Sequence, residues 1–241
     1  SPDRLPVLSP VAMILTADRL VTVRHHAPRP LETFPARADK ASAGFRGAGA
    51  LFLGLVEEIL GRQADHLEAV GHKLDATARQ VFGQAAAQRV AVLEQALGTI
   101  GAQGEVLSRV RLGLLTLKRA LAYYMQSLDE RPDARGLRLH VKAQLRDLQA
   151  LEVHGDFIAM RLSFASDATM GMVNLAQNLT ARILSVVACL FLPPTLIASV
   201  FGMNFARLPL LASDWGFALS LALMVGSAGL TYAVFRWRRW L

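Results

Sequence analysis

The polar residues with the clearest chemical potential lie in or beside two long apolar runs near the end of the chain. The runs cover residues 183–201 and 215–235, and each is long enough to cross a hydrocarbon core of about 30 Å as a helix. Between them stands Gly202-Met203-Asn204, and the side-chain carboxamide of Asn204 can donate and accept hydrogen bonds. A hairpin with one such turn is too small to enclose a path, so any transport requires several copies of the chain.

A second set of small and polar residues leads into the first apolar run. Its members are Asp167, Gly171, Asn174, Asn178, Ala181 and Ser185. Their spacing of three and four residues predicts one face of a helix. One interpretation is a seam of small residues against a neighbouring helix. The other is a wet face that several copies share around an axis, and the amides near the membrane favour it because a polar group facing lipid is costly.

The composition indicates which kind of binding partner the chain has. Of the 241 residues, 53% are hydrophobic, and the formal net charge is +7. A basic chain suits either nucleic acid or an anionic membrane surface. The arginines that flank the apolar runs, Arg182, Arg236, Arg238 and Arg239, favour the lipid bilayer as the partner and argue against nucleic acid.

Catalytic groupings are missing from the sequence. We find no Ser/His/Asp, Cys/His or paired-carboxylate arrangement, so we expect no enzyme and no cofactor. His25 and His26 are adjacent but have no acid nearby, which is typical of exposed loop residues. Cys189 is the only cysteine, so no disulfide can form within the chain.

The hydrophobic pattern predicts a mainly α-helical protein. Residues 11–24 read as two short strands around Ala17-Asp18, and residues 25–35, with three prolines, read as a loop. Helical periodicity begins near Ala41, breaks near Phe82-Gly83 and resumes from Val90 to Leu128. From Asp133 we predict one long stalk helix that continues without a break into the first apolar run.

These patterns divide the chain into six segments. Residues 1–40 are expected to be the remnant of a cytoplasmic α/β domain whose upstream part is missing, and residues 41–182 a cytoplasmic helical funnel and stalk. The transmembrane helices are residues 183–201 and 215–235, joined by an outer loop at 202–214 and followed by a basic tail at 236–241. Most of the arginines near the spans lie just before the first apolar run or just after the second. Because positively charged residues are enriched on the cytoplasmic side of membrane helices, this predicts that the N- and C-termini are cytoplasmic.

The end of the chain resembles the CorA family of divalent-cation channels. The resemblance rests on Pro193-Pro194-Thr195-Leu196-Ile197-Ala198 and on Phe201-Gly202-Met203-Asn204-Phe205, followed by a second span and a basic tail. It is close over residues 160–241 and looser over 11–160. It implies a homopentamer in the inner membrane, with the stalk helix continuing as the pore-lining first span and the second spans forming an outer ring.

The resemblance also implies roles for individual residues. Gly202, Met203 and Asn204 become the outer selectivity mouth, with Asn204 facing the axis. Along the pore, the lining residues that correspond to the family are Asp167, Asn174, Asn178, Ala181, Leu184 and Leu192. Asn204, Asn178 and Asp167 would meet the metal ion, while the two leucines would form apolar constrictions. Ala181 is small for a constriction.

The sequence indicates the identity of the transported ion less directly than it indicates the pore. The Gly-Met-Asn motif is of the magnesium type, which implies influx of Mg²⁺, with Co²⁺ or Ni²⁺ as further ions, driven by the membrane potential. Leu208-Pro209-Leu210-Leu211 lacks the acid that the family has after its motif, and this neutral loop is similar to the ZntB-like zinc branch. A zinc transporter, with or without coupling to protons, is the alternative. A membrane-anchored helical scaffold without an ion path is the third hypothesis.

Overall fold

The computed structural model describes residues 9–40, 47–83, 90–129, 134–203 and 215–238. The elements follow one another along the chain as β1 (Val11–Leu15), β2 (Leu20–Arg24), α1 (Arg29–Lys40), α2 (Ala48–Val81), α3 (Val90–Asp129), α4 (Arg135–Phe201) and α5 (Gly216–Trp237). The mainly helical fold is therefore confirmed, with one small sheet at the N-terminal end. The chain forms two units, residues 1–172 and residues 173–241, which are described separately.

The two strands pair antiparallel as the sequence predicts. Their register runs from Val11 opposite Arg24 to Leu15 opposite Leu20. Thr16 closes the turn because its backbone N–H donates to the Arg19 carbonyl at 2.9 Å and its Oγ1 accepts from the Arg19 N–H at 3.1 Å. Alternate side chains of β1 are half-buried, so the hairpin lies with one face against the helices.

Helix α1 corrects the loop predicted for residues 25–35. It begins at Arg29, and Pro30 occupies the first turn, where a missing N–H costs nothing. Pro35 lies inside the helix, where a proline normally destabilises the helix. Tertiary packing outweighs this preference because Phe34 is buried and Glu58 of α2 accepts from Thr33 Oγ1 at 3.1 Å and pairs with Arg37 at 2.5 Å.

Helices α2, α3 and the first part of α4 form the core of the first unit. The buried side chains are mostly leucines at helical spacing, such as Leu53, Leu67, Leu114 and Leu148. Helix α3 is unbroken despite four glycines, and Gly104 lets α4 approach, since an added Cβ would lie 3.2 Å from Leu162 Cδ2. Burial of this apolar surface is the main source of stability for the unit.

Ion pairs join α4 to its two neighbours at the rim of this core. Asp156 binds Arg111 of α3 at 2.6 Å, and Glu152 binds Lys118 of α3 at 2.7 Å. Arg161 pairs with Asp75 of α2 and also lies over the Phe157 ring, 5.8 Å from its centroid. These contacts fix which face of α4 is turned toward α2 and α3.

Helix α4 confirms the prediction of one stalk helix that continues into the first apolar run. It extends over 67 residues and includes Pro193 and Pro194. Neither proline has an N–H to give, so the carbonyls of Cys189 and Leu190 lose their usual helical partners. Thr195 Oγ1 lies 2.9 Å from both the Phe191 and Leu192 carbonyls. A hydroxyl donor therefore supports the helix next to the two prolines.

The second unit contains the end of α4 together with α5. Among the described helices, α4 and α5 are long and apolar enough to cross a membrane. The half-buried residues of α5 are mostly small and lie along one side of the helix: Gly216, Ser220, Met224, Ser227, Ala228, Thr231 and Phe235. Small residues along one side of a helix are typical of closely packed membrane helices.

Candidate functional site

The candidate site is the polar face of α4 that the sequence predicts. All six members of the set are exposed in the single chain: Asp167, Gly171, Asn174, Asn178, Ala181 and Ser185. Asp167 and Gly171 belong to the first unit and the other four to the second. Since α4 is helical throughout its part of the second unit, the spacing of those four places them along one side of the helix.

Burial on the opposite side of α4 is limited to the part of the helix that precedes the apolar run. Thr169 is 1% exposed and Ala176 is 4% exposed. Farther along the same side, Leu179 is 48% exposed and Ile183 is 65% exposed, while Val186, Leu190 and Ile197 are half-buried. Within the apolar run, exposure therefore does not separate the polar face from the other sides of α4, but in the described part of the chain this face is not a seam within one copy.

Two hydroxyl groups on α4, one just before the apolar run and one at its start, are satisfied by the helix itself. Thr180 Oγ1 donates to the Ala176 carbonyl at 3.1 Å, and Ser185 Oγ donates to the Ala181 carbonyl at 2.8 Å. The amides differ, because in the described part of the chain no hydrogen bond is made by the side chains of Asn174 or Asn178. Two carboxamides per chain are thus free to bind water or a hydrated ion.

The two predicted apolar constrictions differ in their position on the helix. Leu184 is 71% exposed and Leu192 is 66% exposed. At about 100° per residue, Leu192 lies near the centre of the polar face, whereas Leu184 lies about 100° away from Asp167 around the helix. By this spacing, Leu192 shares the side of the amides, whereas Leu184 lies outside it.

Ser199 extends the same face beyond the residues selected from the sequence. It follows Leu192 by seven residues, close to two helical turns, and it is exposed. The same spacing was visible in the sequence, but the apolar character of the run around Ser199 concealed it.

The predicted outer mouth is only partly described. Helix α4 ends at Phe201, and the Gly202 N–H donates to the Ala198 carbonyl at 2.8 Å. A Cβ at Gly202 would lie 3.0 Å from that carbonyl oxygen, which explains why the smallest residue stands where the helix ends. Met203 is 48% exposed. Asn204 and the neutral Leu208-Pro209-Leu210-Leu211 stretch lie outside the described residues.

A single chain does not assemble a metal site from these residues. Asp167 and Asn178 are separated by 11 positions, a rise of about 16 Å along the helix. Across the described ranges, no three His, Cys, Asp or Glu side chains are grouped closely enough to hold a metal ion. Ligands for one ion at one level would have to come from equivalent residues of several copies.

Comparison with known proteins assigns nearly the whole chain to one family. The sequence profile of the family described as CorA-like Mg²⁺ transporter protein matches residues 2–239. The chain belongs to this CorA-like family. Two CorA-family relatives are called magnesium transport protein CorA, from Mannheimia succiniciproducens (30% identical) and Pasteurella multocida (31% identical). Each match covers 97% of this chain and 72% of the relative.

Solved structures of similar proteins support the CorA-like fold. The CorA magnesium transporter from Methanocaldococcus jannaschii aligns with a TM-score of 0.61 at 20% identity, over 97% of this chain and 76% of that one. The full-length CmaX protein aligns with a TM-score of 0.53 at 19% identity, over 96% of this chain and 68% of that one. At such identities the likeness concerns the fold alone.

Proposed function

We propose that this chain carries divalent cations across the inner membrane, foremost Mg²⁺ and also Co²⁺ and Ni²⁺. The observation that carries the proposal is the exposed face of small and polar residues on α4, which runs into an apolar helix long enough to cross a membrane. In a membrane, such a face needs water, ions or other copies around it. Membership of the CorA-like family and the names of the relatives support cation transport over a scaffold role.

The proposed path lies on the axis of a homopentamer. Five copies would bring five Asp167 carboxylates to one level and five Asn178 carboxamides to another. Mg²⁺ gives up its water reluctantly, so neutral amides at Asn178 and Asn204 suit a hydrated ion through hydrogen bonds to its waters. The Asp167 ring would raise the local concentration of cations at the inner mouth. Gly202 and Met203 belong to the outer mouth, while Asn174, Ala181, Leu184 and Leu192 line the path between.

The membrane potential is the proposed driving force, with both termini in the cytoplasm. A divalent ion that moves inward across 100 mV gains about 4.6 kcal/mol, twice the value for a single charge. No bond is made or broken in this process, which agrees with a chain that acts as a channel and not as an enzyme.

Zinc transport is the second candidate because of the outer loop. Leu208-Pro209-Leu210-Leu211 carries no acid, so the loop offers little negative charge for attracting Mg²⁺. Competition among Mg²⁺, Co²⁺ and Zn²⁺ in proteoliposomes, with and without a pH gradient, separates the two. A magnesium channel takes up Mg²⁺ without a gradient, whereas zinc uptake that depends on a proton gradient supports the alternative.

The decisive variant is Asn204→Ala in the full-length protein. We expect it to abolish Mg²⁺ uptake into proteoliposomes, because the outer carboxamide would no longer hold the hydrated ion. Gln126→Ala is the matched control, since its amide is exposed on α3, which is not one of the helices that could cross a membrane. Unchanged flux in Asn204→Ala would refute the pore assignment.

Chemical cross-linking in membranes tests the number of copies in the assembly. We expect a ladder of cross-linked species that ends at five copies, whereas a ladder that ends at two would favour the scaffold hypothesis.

A further inference from the structure

Helix α4 carries a row of large apolar side chains on the outer side of the first unit. Val153, Phe157, Met160 and Phe164 recur at spacings of four, three and four residues, and they are between 54% and 72% exposed. These four residues are called the stalk stripe below. A contiguous apolar patch of this kind marks a contact surface, because water solvates it poorly.

The helices of the same chain pack against the other side of α4. Leu148 and Ile158, which belong to the core with α2 and α3, are 0% and 2% exposed and lie opposite the stalk stripe around the helix. Met160 and Phe164 also line a groove that α2 and α4 share, yet they stay 72% and 69% exposed. In the described part of the chain, the stripe is therefore available to a second chain.

Asp167 continues the stalk stripe toward the membrane. It follows Phe164 by three residues, it is exposed, and it belongs to the same unit and the same helix. A repeat of three and four residues keeps side chains on one face. Where five Asp167 carboxylates meet around the proposed path, the same side of α4 brings Phe164 to the axis about 4.5 Å farther from the membrane, and Val153 about 21 Å farther.

We propose that the stalk stripe packs against the stripes of neighbouring copies, parallel and in register, and forms an apolar collar on the cytoplasmic side of Asp167. The partner of this surface is thus a second copy of the chain. An apolar narrowing loses its water and opposes the passage of a hydrated ion, so the collar restrains Mg²⁺ at the cytoplasmic end of the path. The inference rests on the proposed function, from which it takes the ring of Asp167.

The charges beside the stalk stripe fit parallel copies in register. In such an arrangement, a residue that flanks the contact on one helix faces the residue about five positions later on the next helix. Asp156 and Arg161 flank the stripe at this separation, and Lys142 and Asp147 flank the turns before it, so both pairs join opposite charges. Asp156 and Arg161 also have partners on α3 and α2. Among the described residues, Lys142 and Asp147 make no ion pair within the chain.

Charged residues bound the stalk stripe at both ends. The position seven residues before Val153 is Arg146, and the position seven residues after Met160 is Asp167, and both are exposed. Charged groups gathered around an axis keep water between them, because removing it is costly. The apolar section is therefore suited to a short constriction of the path and not to a continuous contact along the whole stalk.

Cysteine cross-linking tests the contact in membranes that contain the full-length protein. The native cysteines, Cys189 among them, are replaced by serine, and Val153→Cys or Met160→Cys is introduced. We expect a short bis-maleimide to link each variant into covalent dimers, because identical residues of parallel copies meet at the stripe. Gln126→Cys on α3 is the matched control and should stay monomeric, since its side chain is exposed but lies away from the stripe.

Met160→Gln tests the collar, because it keeps the length of the side chain and makes it polar. We expect Mg²⁺ uptake into proteoliposomes to rise several-fold, since the narrowing then holds water. No covalent dimers at either stripe position, or unchanged or lower uptake in a Met160→Gln protein that still assembles, would overturn the inference. A protein that forms the ladder of five copies and takes up Mg²⁺ without stripe cross-links refutes this inference alone, whereas one that neither assembles nor transports refutes the proposed function with it.

Discussion

Asn178 and Ala176 stand two residues apart on α4 and face opposite sides of it. The carboxamide of Asn178 is exposed, whereas Ala176 is 4% exposed and covered by the rest of the chain. The helix thus separates a packed side from a polar side just before the apolar run begins at residue 183. Because packing and proposed transport use different sides, the two can be disturbed independently.

Replacing Asn178 with Leu should stop transport and spare the fold. We expect the Mg²⁺ flux into proteoliposomes to fall about tenfold or more, because each copy loses a hydrogen-bond partner for the hydrated ion. The thermal unfolding temperature in detergent should not change, since the side chain is exposed. Gln126→Leu makes the same kind of change on α3, outside the helices that could cross a membrane, and should keep its flux. Equal losses in both variants would contradict a path along the Asn178 side.

Gln144 is a buried polar residue whose replacement by Leu should be tolerated. It is 2% exposed, and its Nε2 donates to the Leu53 carbonyl at 2.6 Å, while its Oε1 is buried without a partner. Gln144→Leu removes that unsatisfied acceptor, so we expect the free energy of unfolding to change by no more than about 1 kcal/mol. Gln144→Ala leaves a cavity and should cost about 2–3 kcal/mol. Denaturant unfolding measures both, and a larger loss for Leu than for Ala would be inconsistent.

Two glycines of α2 should respond in opposite ways to alanine. At Gly49 an added Cβ would collide with Tyr124 Oη and lie 3.1 Å from Leu137 Cδ1. We expect Gly49→Ala to lower the free energy of unfolding by about 1–3 kcal/mol. At Gly61 nothing lies within 4 Å, so Gly61→Ala should raise it by about 0.5–1 kcal/mol through helix propensity. Unfolding curves that shift in the same direction would disprove the close contact at Gly49.

His66 should make the first unit less stable in mild acid. Burial, assisted by the charge of Arg62 and opposed by Asp65, lowers the pKa of His66 from its ordinary value of 6.5. Below pH 6.5 the unfolded chain therefore takes up a proton that the folded chain resists, and stability falls as the pH drops toward the folded pKa. His66→Gln should flatten this part of the pH profile of unfolding. An unchanged profile would rule out His66 as its source.

The sequence predicts the long elements of this protein well because their patterns are strong. The two strands around Ala17-Asp18, the break near Phe82-Gly83 and the unbroken helix into the first apolar run were all visible as periodicity. The family was also recognisable, since Gly202-Met203-Asn204 stands at a defined place between two apolar runs. Each of these features is local, or depends only on distance along the chain.

Features that depend on contacts between distant residues were not predictable in the same way. Helix α1 contains Pro35, and only its packing on α2 explains why it forms. Likewise, nothing in the local sequence indicates that Gln144 reaches the carbonyl of Leu53, 91 residues earlier. The roles of Asp167, Asn178 and Asn204 in ion binding remain predictions, because they depend on equivalent residues of other copies.

The self-satisfied hydroxyls of α4 bear on how the protein is made. Thr180, Ser185 and Thr195 each donate to a carbonyl of their own helix, so none of them needs a second chain while it lies in lipid. The exposed amides Asn174 and Asn178 precede the apolar run and can stay in water at the membrane surface. We therefore expect that a newly synthesised chain can insert into the bilayer alone, and that the proposed association of copies follows as a separate, later event.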